Sequence, residues 1–121
     1  TEVVRSGPSR ASDETVILRP EKEPSVLAWL IEKQGLRPGA VYRLNEGITS
    51  IGRQSDNDIV LDDPAVGREH AKIRMEERKF VLYDLVSKNG TFVNGERITN
   101  REIVDKDEIT LGETVLVFRR I

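Results

Sequence analysis

Residues 71–95 read AKIRMEERKFVLYDLVSKNGTFVNG. Ala71, Ile73 and Met75 alternate strictly with Lys72, Arg74 and Glu76, a period of two that gives one dry and one wet face, as in a half-buried strand. The charged run Glu76-Glu77-Arg78-Lys79 turns the chain into a second apolar segment, Phe80 to Leu85. Asn89-Gly90 and Asn94-Gly95 flank Thr91-Phe92-Val93. Asn-Gly supplies the positive backbone angles that tight hairpin turns require. This stretch alone reads as successive short strands with no room for a helix.

The same punctuation continues in both directions. Ala40, Tyr42 and Leu44 alternate with Val41 and Arg43 after the turn signal Pro38-Gly39. Ile48 to Ile51 is a short, largely β-branched run ending at Gly52, and Asp58 to Leu61 is another, closed by Asp62-Asp63-Pro64. Ile109 to Leu111 and Thr114 to Phe118 flank Gly112-Glu113, a hairpin turn. Many short strands separated by frequent turns predict an all-β fold, an antiparallel β-sandwich.

One segment fits two patterns. In Ser25 to Gly35, Val26, Leu27, Leu30 and Ile31 match a helical face with Ser25 as N-cap, while Leu27, Trp29 and Ile31 match a strand. The all-β surroundings favour the strand, hairpinning through Pro38-Gly39. Ahead of it, residues 1–24 carry Pro8, Pro20, Pro24, mixed charges and no aromatic. Such a composition does not bury enough apolar surface to offset the entropy of ordering it, which predicts an irregular N-terminal tail before a domain at 25–121. The sequence starts at Thr1 rather than Met, as expected of an excised or processed piece of a longer chain.

Composition narrows the chemistry. The 121 residues include 19 Lys+Arg and 21 Asp+Glu, a net charge of −2, which argues against bulk nucleic-acid binding. There is no cysteine and one histidine, so thiolate metal sites, a Cys nucleophile and a multi-His metal site are excluded. No apolar run approaches the roughly 20 residues that span a bilayer, and no signal-peptide core is present, so neither membrane insertion nor export is expected. The acidic residues Asp56, Asp58, Asp62 and Asp63 lack the loop glycine and distal Glu of an EF-hand and read as a solvated loop. No metal, cofactor or catalytic residue is expected.

Three ordered fragments carry a more specific signal: Gly52-Arg53, then Asp58-Ile59-Val60-Leu61 through Val66-Gly67-Arg68-Glu69-His70, then Ser87-Lys88-Asn89-Gly90-Thr91-Phe92-Val93-Asn94-Gly95. Together they resemble the forkhead-associated (FHA) domain, a phosphothreonine-reading module, over Ser25 to Ile121. The resemblance implies a sandwich of about eleven strands with ligand loops at one end. It implies that Arg53 is the principal phosphate contact, which suits the guanidinium fork. The family's second contact is usually a Ser followed by Arg, one residue, then His. Here Gly67-Arg68-Glu69-His70 stands in that place and the hydroxyl is missing. The backbone N–H of Gly67 and the charge of Arg68 are the expected substitutes. Lys88, where the family often has Thr, is a further candidate contact, and the Asn89 amide suits gripping a peptide main chain. By the same resemblance His70 braces a loop, and Gly52, Asn94 and Gly95 are architectural.

The tail holds a candidate ligand. Thr15 lies in Asp13-Glu14-Thr15-Val16-Ile17-Leu18, with an aliphatic residue three places on, as FHA domains commonly prefer. The layout is similar to the tails of bacterial FHA regulators of central metabolism, where a Ser/Thr kinase phosphorylates a threonine that folds back onto its own domain. Those tails usually offer adjacent threonines, whereas Thr15 stands alone. The expected function is thus a cytoplasmic phosphothreonine-peptide-binding signalling module, its partners a phosphothreonine protein or its own phosphorylated tail, and a Ser/Thr kinase. The alternative is a phospho-independent scaffold whose phosphate site has degenerated at Gly67.

Overall fold

The computed structural model describes residues 27–121. The readings placed on the preceding residues, Thr15 and Val16-Ile17-Leu18 among them, lie outside these. Eleven strands form, and no helix among the described residues. They are β1 (Ala28–Gln34), β2 (Val41–Arg43), β3 (Ile48–Gly52), β4 (Ile59–Val60), β5 (Ala71–Glu76), β6 (Lys79–Asp84), β7 (Thr91–Val93), β8 (Glu96–Ile98), β9 (Asn100–Ile103), β10 (Glu108–Leu111) and β11 (Thr114–Arg120). One sheet runs β2-β1-β11-β10-β7-β8 and the other β4-β3-β5-β6-β9. Phe80 of β6 meets Phe118 of β11 across the sandwich, ring centroids 5.3 Å apart and tilted by 59°. Around this pair Leu30, Ile51, Ile73, Leu82, Ile109 and Leu116 are fully buried, so the hydrophobic effect acts on both inner faces at once.

The described part of the segment that fits two patterns forms a strand, β1, paired with β11 and β2, but on the opposite parity from the expected one. Ala28, Leu30 and Glu32 face inward, while Trp29 and Ile31 are half-buried outside. A one-residue shift exchanges the faces of a strand, and here the inner set holds a small residue and a charged one, which disguises it. Glu32 is tolerated because its carboxylate accepts from the Tyr42 hydroxyl at 2.9 Å and from the Arg37 N–H at 2.6 Å. Burial and that hydrogen bond push the Tyr42 phenol up to about 12.

The sheets are also not wholly antiparallel. β3 and β4 pair in parallel, Ile51 opposite Ile59 and Gly52 opposite Val60. Parallel neighbours normally need a long crossover. A two-residue β4 needs only the loop 53–58 to bring the chain back, and that return folds this loop against the β4–β5 loop at one end of the sandwich.

Candidate peptide-binding loops

Gly52 ends β3 where the backbone of the β4–β5 loop comes too close for any side chain. A Cβ there would lie 2.2 Å from the Arg68 carbonyl oxygen and 2.7 Å from the Asn57 amide nitrogen. The close approach lets the two loops share a backbone ladder. Arg53 N–H donates to Gly67 O at 2.9 Å, and Gln54 N–H to Arg68 O at 3.2 Å. Asn57, not singled out from the sequence, reinforces the junction by donating its side-chain amide to Gln54 O and Arg68 O, at 2.8 and 2.7 Å.

The Arg53 side chain is exposed and takes part in this scaffold by one nitrogen only. Its Nε donates to Val66 O at 3.0 Å, and neither Asp56 nor Asp58 pairs with it. The carboxylate of Asp58 instead accepts from the backbone and hydroxyl of Ser50. Held by Nε and its backbone, the Arg53 guanidinium keeps both terminal nitrogens without a partner among the described residues.

His70 is fully buried between two loops. Its Nδ1 accepts the Gly67 N–H at 2.8 Å, so the ring proton sits on Nε2 and is donated to Gly90 O at 2.9 Å. This corrects one expectation, because the Gly67 N–H is already engaged by His70 and is not presented to a ligand. Asn89 is likewise half engaged. Its Nδ2 donates to Ala65 O at 2.8 Å, which joins the His70–Gly90 bond and the Leu85 N–H on His70 O as a third tie between the β6–β7 and β4–β5 loops and leaves Oδ1 without a partner among the described residues. The side chains of Arg68 and Lys88 are exposed on the same two loops and have no hydrogen-bond or ionic partner among the described residues. Asn94 and Gly95 lie at the far end of β7, in a turn with φ of 51° and 85°. Asn94 there ties itself to Asp107 and Glu108, away from the other candidate residues.

The β6–β7 loop owes its shape to Asp84. The carboxylate accepts from the Ser87 N–H at 3.1 Å, the Thr91 hydroxyl at 2.6 Å and the Ser87 hydroxyl, which in turn accepts the Gly90 N–H at 3.0 Å. Burial pushes the Asp84 carboxyl up, but the bonds from Ser87 and Thr91 outweigh it and hold the group below its ordinary value. The stability that the carboxylate contributes is thus complete above the ordinary carboxylate range and lost as pH falls through the depressed folded value. Asp84→Asn is expected to lose about 1 kcal/mol at neutral pH, roughly 4–8 °C in Tm for a domain of this size. Melting curves should show the gap to wild type closing below pH ~4, the model-peptide region for Asp.

The sequence pattern of the FHA domain matches residues 49–112. The chain belongs to the FHA-domain family. Among its relatives is the glycogen accumulation regulator GarA of Mycobacterium tuberculosis, 39% identical over 92% of this chain and 68% of that protein. Another is the oxoglutarate dehydrogenase inhibitor of Corynebacterium glutamicum, 40% identical over 81% of this chain and 68% of that protein. A structure solved in a study of phosphothreonine-dependent FHA domain interactions superposes with a TM-score of 0.72 at 35% identity, covering 77% of this chain and 95% of its own. The eleven-strand sandwich expected from the resemblance is the fold observed.

Proposed function

We propose that this FHA domain binds phosphothreonine peptides at the loop end of the sandwich, with Arg53 as the main phosphate ligand. The observation that carries the reading is the Arg53 guanidinium, anchored through Nε and its backbone while both terminal nitrogens stay open. A phosphate dianion is best held by such a preset fork, because little side-chain freedom is lost on binding. Arg68 and Lys88 supply further positive charge, and the Asn89 Oδ1 accepts from the peptide main chain. The role is binding and signalling rather than catalysis, since both His70 nitrogens are occupied by backbone groups. A Ser/Thr kinase generates the ligand in the cytoplasm, and relatives named for glycogen accumulation and for inhibition of oxoglutarate dehydrogenase support an enzyme of central metabolism as the target.

The tail is the ligand nearest at hand. Roughly ten residues separate Thr15 from the domain, a reach of up to about 35 Å when extended. A tether of this length gives a local concentration near the millimolar range, so even a site of tens of micromolar affinity would be mostly filled by phosphorylated Thr15. Tail docking would then close the site to other partners. A second reading, phospho-independent binding, draws on the absent hydroxyl and engaged N–H of Gly67.

Calorimetric titration of the chain carrying Thr15→Ala with a Ser12–Pro20 peptide, phosphorylated and unmodified, separates these. Micromolar binding of the phosphorylated form alone is expected. Equal binding of both forms favours the phospho-independent reading, and no binding of either leaves Thr15 a linker residue.

A further inference from the structure

We propose that the groove between residues 85–87 and strand β8 is a second subsite of the peptide-binding end, in which Arg97 holds an acidic side chain of the ligand. This rests on the phosphothreonine reading above and adds a specificity residue to it. Arg97 sits on the sheet edge, cross-strand from Phe92, and its side chain returns to the ligand loop. A Cβ on Gly90 would lie 2.8 Å from the Arg97 Nε and 3.0 Å from its Cζ, so the guanidinium lies against the backbone that receives the His70 brace.

The acids around it are committed elsewhere. Its chain neighbour Glu96 pairs with Arg101 at 2.9 Å, while Asp84, the single acid on the groove wall, is filled by Ser87 and Thr91. Arg97 has no carboxylate partner among the described residues. The groove measures about 630 Å³ and is lined by Asp84, Val86, Ser87, Arg97, Ile98 and Thr99.

Val86, on its rim, is the third observation. It is 95% exposed and has φ +54°, a left-handed conformation that a β-branched residue rarely adopts. Strain of this kind persists only where the surroundings impose it, here the Asp84–Ser87 clamp one residue on, and it concentrates at ligand sites. Together Val86, Ile98 and Arg97 suit a side chain with an apolar stem and an anionic tip. Glutamate meets that description, and lysine or arginine in the same place would face Arg97. The chain's own candidate ligand carries Asp13-Glu14 directly before Thr15.

The test is selection from a phosphothreonine peptide library randomised on both sides, using the full chain as wild type, Arg97→Glu, Arg97→Gln and Arg53→Ala. Wild type is expected to enrich Asp and Glu over Lys and Arg about three- to tenfold at one flanking position. Arg97→Gln should flatten that preference and Arg97→Glu invert it, with every other position unchanged. Acidic enrichment that survives in both Arg97 variants, or is absent from wild type, overturns the subsite while leaving phosphothreonine binding intact. If wild type retains no phosphothreonine peptide above the Arg53→Ala background, the binding reading itself fails and the subsite falls with it. Arg97→Gln keeps the test decisive should the charge reversal not fold.

Discussion

Arg53→Ala is expected to weaken phosphopeptide binding by at least about 100-fold, the combined loss of two charge-assisted hydrogen bonds to a dianion. The fold should survive, because little of it depends on that side chain. The loop junction is held by the Arg53 N–H on Gly67 O, the Gln54 N–H on Arg68 O and the Asn57 amide, all of which the alanine variant retains. What it loses is the Nε bond to Val66 O, about 1 kcal/mol. Arg53→Lys sharpens the test. An ammonium keeps the charge but cannot satisfy Val66 O and present a fork together, so binding should fall about tenfold rather than vanish. Calorimetry for affinity and amide chemical-shift dispersion for the fold check both parts. Wild-type affinity in a folded Arg53→Ala protein would place the phosphate elsewhere.

How far such arguments start from sequence differs from element to element. Strands β5, β6 and β7 are legible because alternation and Asn-Gly turns act locally and point the same way. β8 and β9 are not. Each closes the edge of a sheet, and Glu96-Arg97-Ile98 and Asn100-Arg101-Glu102-Ile103 carry the charge that edges tolerate, so no apolar rhythm announces them. The inner face of β1 is hidden for the converse reason, since Glu32 is buried through partners five and ten residues away.

The site divides along a similar line. Arg53, His70 and Asn89 are visible in the ordered motif, but which of their atoms remain available is not, because that depends on how closely three loops approach. The Gly67 N–H and the Asn89 Nδ2 both look like ligand donors in sequence, and both are engaged in holding loops together. Arg97 reaches the ligand end only by cross-strand geometry, and nothing in its local sequence marks it. Asp84, by contrast, left a readable trace, an Asp three residues before Ser87, the spacing at which a carboxylate caps its own turn.

Gly67→Ser should restore what the motif lacks and tighten phosphopeptide binding about 10- to 100-fold, the worth of one charge-assisted hydrogen bond. The three loop glycines differ in whether they admit a side chain. At Gly52 a Cβ would collide with the Arg68 carbonyl, and at Gly90 φ is +87° with Arg97 2.8 Å away. At Gly67 the nearest atoms are Nδ1, Cα and Cβ of His70 at 3.6, 3.7 and 3.8 Å, ordinary contact distances, and φ lies outside the left-handed region. A serine therefore fits without moving the backbone, and its N–H keeps the bond to His70 Nδ1. Stability should hold or rise by about 0.4–1 kcal/mol, since the unfolded chain loses glycine's freedom. The gain must also depend on Arg53, so the double variant Gly67→Ser with Arg53→Ala should bind no better than Arg53→Ala alone. Tighter binding in the single variant and none in the double would place the hydroxyl on the same phosphate as the guanidinium. Unchanged affinity for Gly67→Ser would mean that the phosphate does not come within reach of residue 67, and that Arg68 and Lys88 have taken over the role the family gives its serine.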